Sequence, residues 1–194
     1  MTRIGLTGSI ASGKSVVTAR LRALGAFVID ADEISRAITA PGAPALQEIA
    51  AAFGEALLRA DGSLDRAALG DIVFAEPQKL QTLNAILHPR ICARMREMER
   101  ESGETLVVYD VPLLMETGMD KDMDAVWMVD APEAVRMARL MRRNGLTQAQ
   151  AMARMRAQLG DEEKRRRADV ILCNDGTLSA LYERVDDIWQ SLNA

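Results

Sequence analysis

The sequence predicts an α/β fold in which a parallel sheet of five strands is covered by helices on both faces. Three observations point there. Apolar runs too continuous for a half-exposed sheet recur along the chain, and helical spacing fills the stretches between them. The first run also leads directly into Gly8-Ser9-Ile10-Ala11-Ser12-Gly13-Lys14-Ser15, an octet of the form G-x-x-x-x-G-K-[ST]. In such a sheet, ligands collect beyond the carboxyl ends of the strands.

Each element follows in order. Arg3-Ile4-Gly5-Leu6-Thr7 reads as a short buried strand, the octet as a loop, and Val16 to Ala23 as a helix. Ala26-Phe27-Val28-Ile29 is a second strand ending at Asp30, with a helix from about Asp32 to Ala40. Pro41-Gly42-Ala43-Pro44 breaks the chain, and from Ala45 to Glu101 the pattern is helical in several pieces. Breaks are expected at Gly54, Asp61-Gly62 and Pro77, and at His88-Pro89 inside the last stretch. Leu106-Val107-Val108-Tyr109 before Asp110 is a third strand, Ala125-Val126-Trp127-Met128-Val129 before Asp130 a fourth, and Val170-Ile171-Leu172-Cys173 a fifth. Between the last two, Pro132 to Arg143 is a helix stopped by Gly145, and Thr147-Gln148-Ala149-Gln150 opens another with a capping-box pattern. Thr177 to Leu192 is an amphipathic helix that includes Trp189, read with Trp127 as core. One domain results, with core segments at about 1–40, 104–135 and 168–194, a helical insertion at about 41–103, and a lid at about 136–167.

Composition sets the outer limits. The chain has 194 residues, 48% apolar and 27% charged, which suits one globular domain with a real core. No apolar run reaches membrane length and the first residues do not have the pattern of a signal peptide, so a cytoplasmic location is expected. With 24 basic and 28 acidic residues the net charge is −4, and nothing global attracts nucleic acid or an anionic membrane. Cys92 and Cys173 are far apart and read as buried thiols. Two basic clusters remain: Arg136, Arg139, Arg142 and Arg143 on one helix, and Lys164 to Arg167 before the last strand, a solvated face or a ligand contact.

The octet carries the first piece of chemistry. Gly8 and Gly13 let the backbone curl so that successive N–H groups and the following helix N-terminus face an anion, with Ser9, Ile10, Ala11 and Ser12 between them and Val16 just after. Lys14 adds a mobile cation, and Ser15 offers a hydroxyl to Mg²⁺. A nucleoside triphosphate is the expected ligand. The segments Asp110-Val111-Pro112-Leu113 and Asp130-Ala131-Pro132-Glu133 match neither D-x-x-G nor N-K-x-D, which argues against a guanine-nucleotide switch. Phosphoryl transfer to a second substrate needs a carboxylate near the acceptor, a covering subdomain and mobile arginines. Asp32, just past the second strand, either orients an attacking hydroxyl or caps the next helix. His88, the only histidine, is either a structural residue or a donor to substrate. Asp110 is either a strand-terminal turn residue or a carboxylate associated with Mg²⁺ through water.

The whole pattern resembles the dephospho-CoA kinases. It rests on Gly5-Leu6-Thr7-Gly8 running into the loop, Val28-Ile29-Asp30-Ala31-Asp32 with Arg36, Pro41-Gly42, and Asp61-Gly62 with Leu64-Asp65-Arg66. Leu83-Asn84, Ile86, His88-Pro89, Pro112-Leu113-Leu114 with Glu116, Val129-Asp130-Ala131, Arg139 with Arg143, Ala157-Gln158, Ala168-Asp169 and Asn174-Asp175-Gly176 complete it. The resemblance implies a P-loop kinase core with an acceptor-binding helical subdomain and a lid, using ATP and Mg²⁺ to phosphorylate the ribose 3′-hydroxyl of dephospho-CoA. It implies Asp32 as the catalytic carboxylate together with Lys14, Arg139 and Arg143. Arg36, His88, Pro112, Leu113 and Leu114 are implied at the acceptor. A monomer or small homo-oligomer is expected, with no nucleic acid and no membrane as partner. The alternatives are a P-loop kinase for another small acceptor and a nucleotide-binding regulator. The chain departs from the family at Ser9 and Ala11, where glycines are usual, at Val16 and Met115, and at Asp161, where a basic residue is common. Lys164 or Arg165 is expected to replace that basic contact.

Overall fold

A computed structural model describes residues 1–192, so positions 193–194 of the expected core lie outside the described residues. In chain order the elements are β1 (Thr2–Gly8), α1 (Lys14–Ala23), β2 (Phe27–Asp30), α2 (Ala31–Ile38), α3 (Pro44–Phe53), α4 (Arg66–Ala75) and α5 (Pro77–Ser102). There follow β3 (Leu106–Asp110), β4 (Ala125–Asp130), α6 (Glu133–Asn144), α7 (Gln148–Arg156), α8 (Asp161–Arg167), β5 (Val170–Cys173) and α9 (Leu178–Leu192). The sheet has five strands in the order β2-β3-β1-β4-β5, and β1 pairs in parallel with both β3 and β4. Register places Leu6 beside Asp110 and Gly8 beside Val129. The carboxyl ends of the three central strands therefore lie side by side, with the octet leaving the middle one.

Two compact units divide the chain, one made of Met1–Ile29 with the residues from Ser102 onward, the other of Asp30–Glu101. In the first, Ile4, Leu6, Val108, Trp127, Val129 and Leu172 of the sheet are buried with Val17 and Leu21 of α1 and Leu181 and Val185 of α9. Each such aliphatic side chain taken fully out of water contributes about 1.5–3 kcal/mol before entropy is counted. Trp189 packs against this cluster from the partly buried side. Arg20 of α1 grips Asp186 of α9 with two bonds, Nε to Oδ1 at 2.7 Å and Nη2 to Oδ2 at 2.5 Å. Gly145 ends α6 at φ 64°, and Thr147 and Gln150 form the expected capping box on α7.

The second unit starts at Asp30, ahead of the break at Pro41, and so takes α2 with it. Its core is a separate apolar cluster of Leu46, Ile49, Leu57, Leu64, Leu69 and Val73, with Leu80, Leu83, Ile86 and Leu87 of α5 against it. The sequence expectation of a break at His88-Pro89 is corrected here, because α5 runs through Pro89 as one helix. Proline removes one ladder bond, and long flanking helical stretches carry the helix past it. The Ile86 carbonyl next to that gap accepts from Arg90 Nη1 at 2.5 Å. Cys92 and Cys173, expected as buried thiols, are not joined in a disulfide and are only half-buried. Among the described residues no helix is long and apolar enough to cross a membrane.

Candidate active site

The octet forms a cradle whose shape depends on small residues in unusual conformations. Gly13 has φ 98°, and a Cβ there would lie 2.1 Å from Asn174 Nδ2. A Cβ on Gly8 would lie 2.8 Å from the Val129 carbonyl oxygen, so a side chain at Gly8 would have to displace the β4 backbone, and one at Gly13 the Asn174 amide. Ala11 occupies the left-handed region at φ 61°, which explains why glycine suits that position and why alanine is accommodated only under strain. Gly13 begins α1 without a side-chain cap, and no acidic residue stands in the first turn. The end of that helix is left for an anion.

Lys14 does not project into an empty cradle. Its ammonium pairs with Asp110 Oδ1, while Thr18, one turn further along α1, donates to Asp110 Oδ2 at 2.5 Å. Both oxygens of a carboxylate that is only 2% exposed are thereby engaged. Asp110 is thus no plain turn residue: it sets the resting position of the loop lysine. Ser15 is exposed at the start of α1, while Val16 packs on the core cluster.

Behind the loop stand residues the sequence identified only as family pattern. Asn174, just after β5 and buried, donates Nδ2 to the Ser12 carbonyl at 2.7 Å, and its own N–H bonds Asp130. Arg139 donates to the same Ser12 carbonyl at 3.2 Å and reaches Ala11 O at 3.5 Å. The structure therefore brings Arg139 to the loop. Arg143 is exposed, and its Nε donates to Asn144 instead. Gln158 accepts the Ile10 N–H at 2.8 Å, and with Arg136 and Asp161 it lines a cleft of about 510 Å³.

The second basic cluster is neither a bare solvated face nor a row of waiting phosphate ligands. Lys164 is fully buried with Nζ 2.8 Å from Glu116 Oε1; the atoms are close, but the ammonium is not aligned to donate a hydrogen bond. Arg165 Nε donates to Asp130 Oδ2 at 2.8 Å, and that bond holds its pKa above the ordinary arginine value. Arg166 pairs with Glu163 and Arg167 with Asp120. Both cations expected to compensate for Asp161 are occupied by carboxylates. On the acceptor side of the sequence motif, the Pro112 carbonyl accepts from Thr7 Oγ1 at 3.1 Å. Leu114 is fully buried and Leu113 is 37% exposed, so Leu113 can touch a ligand while Leu114 shapes the floor against Gly5.

Within the helical unit, Asp30 and not Asp32 caps α2. Asp30 Oδ1 accepts the N–H groups of Asp32 at 2.8 Å and Glu33 at 3.1 Å. Asp32 sits in the first turn of α2, exposed. Arg36 on α2 and Arg66 at the start of α4 share its neighbourhood. The pKa of Arg66 is lowered by desolvation first and by the charge of Arg36 second, with Asp32 opposing, although the residue as a whole is exposed. Arg66 Nη2 also donates to Thr39 Oγ1 at 2.5 Å. Two guanidinium groups beside a carboxylate suit an anionic substrate group. The signal for Arg66 was the Leu64-Asp65-Arg66 motif, which has no chemistry of its own until folding sets it near Arg36. His88 is half-buried and lies 3.8 Å from Cys92 Sγ, one turn further along α5.

The dephospho-CoA kinase family model matches residues 2–180. The dephospho-CoA kinase of Thermobifida fusca is 48% identical over 193 residues, covering 99% of this chain and 96% of the relative. The crystal structure of TT1252 from Thermus thermophilus superposes with a TM-score of 0.84 at 37% identity, covering 98% of this chain and 97% of that one. The dephospho-CoA kinase structure from Campylobacter jejuni gives 0.70 at 29% identity, covering 98% and 96%.

Proposed function

This chain belongs to the dephospho-CoA kinase family, and on that premise we propose how its own residues divide the transfer of the ATP γ-phosphoryl group to the ribose 3′-hydroxyl of dephospho-CoA. The observation that carries the assignment is the Lys14–Asp110–Thr18 cluster at the foot of the uncapped helix α1. A lysine held by a buried carboxylate is pre-positioned, and an entering polyphosphate offers it a stronger partner. Lys14 and the loop N–H groups between Gly8 and Val16 bind and fix the donor phosphates, those of Ile10, Ser12 and Val16 only by giving up the protein acceptors they hold at rest.

The donor set fits Mg²⁺, which takes hydroxyl, water and phosphate oxygens and keeps several waters. Ser15 would hold it directly, and Asp110, whose oxygens are both engaged, would act through water. When bound, the ion supplies neutralisation of phosphate charge. Among the described residues no group of three or more His, Cys, Asp and Glu forms a metal site.

Asp32 positions the ribose hydroxyl and accepts its proton late in the transfer. That Asp30 does the capping supports this role, since the Asp32 side chain is not needed to start α2. Arg36 and Arg66 hold an anionic group of the acceptor, and His88 and Leu113 complete the acceptor contacts. Arg139, already on the loop, takes the charge that develops on the transferring group; Arg143 covers the donor when the lid closes and water is excluded. The test is Asp32→Asn assayed with Mg-ATP and a panel of acceptors, with the new phosphate located by phosphorus NMR. Transfer to dephospho-CoA is expected to fall by roughly 10²–10⁴ while ATP binding is retained. Undiminished transfer would remove Asp32 from its role.

A further inference from the structure

Asp161 reverses the charge common at its position in the family, and the structure shows where that charge goes. Its Oδ1 accepts from Ser9 Oγ at 2.5 Å, and its Oδ2 accepts from Arg136 Nη2. Arg136 is only 3% exposed and is itself oriented by a 2.9 Å bond from Nε to the Ala131 carbonyl, just past β4. Both carboxylate oxygens thus have partners, one on the loop at Ser9 and one on α6 at Arg136. Gln158, three positions earlier, holds the N–H of Ile10. The segment from Gln158 to Asp161 therefore grips two consecutive loop residues, Ser9 and Ile10.

A lone carboxylate beside a phosphate cradle would repel a polyanion. This one is compensated by Arg136, and its second oxygen is spent on Ser9. A glycine at position 9 would give Oδ1 no donor, and a basic residue at 161 would face Arg136. The two departures, Ser9 and Asp161, are therefore complementary. We propose that Asp161 is a positioning residue for the donor phosphates: braced by Arg136, it fixes Ser9 and with it the first turn of the loop, so that Ser9 and Asp161 act in ATP binding as one coupled pair. This rests on the loop being the donor site.

The test is calorimetric titration of ATP into Ser9→Ala, Asp161→Ala and the double variant, together with KM for each substrate. Loss of a hydrogen bond to a charged group predicts that either single variant weakens ATP binding about tenfold. The double variant is expected to be no worse than the weaker single one, with KM for dephospho-CoA unchanged. Ser9→Ala keeps the Asp161–Arg136 pair, so it reads the proposal by itself if Asp161→Ala folds poorly. Wild-type ATP affinity in Ser9→Ala, additive losses in the double variant, or equal rises in both KM values would each overturn it. Lys14→Ala is the control: loss of ATP binding there alongside an unaffected Ser9→Ala sinks only the coupled pair. Unchanged ATP binding in Lys14→Ala sinks the donor-site reading and the pair together.

Discussion

The sheet-bearing unit and the helical unit are organised by different forces. In the first, polar side chains join residues far apart in the chain: Ser9 to Asp161, Lys14 and Thr18 to Asp110, Asn174 to Ser12, Lys164 to Glu116. In the second, many polar bonds are local caps and turns, such as Asp30 to Asp32 and Glu33, Asp61 to Ser63, and Asp65 to Ala67 and Ala68. Its long-range order comes mainly from one apolar cluster, with Arg66–Thr39 and Arg90–Glu48 as polar additions. A unit that grips a polyphosphate needs fixed dipoles and charges, and each needs a partner when the ligand is away. Shaping the acceptor surface proposed for the helical unit asks less of polar networks.

The contrast breaks first if the apolar cluster is not what organises the helical unit. Ile49 is fully buried in that cluster, and Ile49→Ala should cost about 2–5 kcal/mol, read by denaturant unfolding. Hydrogen exchange should accelerate in α3 and α4 more than in β4. Equal acceleration in both units would contradict the separation.

Gly13→Ala tests the polar unit next. Forcing a side chain into φ 98° costs about 1–3 kcal/mol by itself, and the Asn174 amide blocks the space the methyl needs. Stability should fall by at least that amount, with ATP binding lost in the same protein. A stable variant that binds ATP normally would show that the loop is softer than its contacts indicate.

Asp30→Ala sharpens the distinction between neighbouring carboxylates in the helical unit. Loss of the cap should cost about 1 kcal/mol in Tm or denaturant measurements, without the large loss of transfer expected for Asp32→Asn. If Asp30→Ala abolished transfer at full stability, the two roles would be interchanged.

The smallest effect belongs to Arg20–Asp186, a half-exposed pair in the sheet unit. Its hydrogen bond to Arg20 holds the Asp186 carboxyl below the ordinary value of 3.8. A depressed folded pKa contributes stability above the unfolded value, and the contribution is lost as pH falls through the folded value. Asp186→Asn should therefore lower Tm slightly at neutral pH, and its difference from wild type should shrink below about pH 4. A gap that widened in acid would reverse the sign of the argument.

Much of this was legible in the chain. Continuous apolar strands ending at Asp30, Asp110 and Asp130, the octet that follows β1, and the Thr147–Gln150 capping box are local patterns, and they appear where periodicity placed them. The Pro89 reading failed because helix continuity there depends on flanking turns and on Arg90, neither of which a proline rule weighs. The resemblance located Arg139 and Arg143 together, but only Arg139 touches the loop. Asp161 looked like a defect in the lid because its partners lie 152 residues away at Ser9 and 25 residues away at Arg136.

By itself the sequence determined the phosphate loop, the layered α/β class and the family pattern, since each depends on residue types at short fixed spacings. Tertiary structure alone decided which carboxylate caps α2, which arginine stands on the loop, what holds Lys14 at rest, and why Ser9 and Asp161 belong together. Those are questions of which charge meets which partner: the cap of α2 is settled by backbone geometry at the strand–helix junction, and the other partners become neighbours only when the strand ends gather on one edge of the sheet.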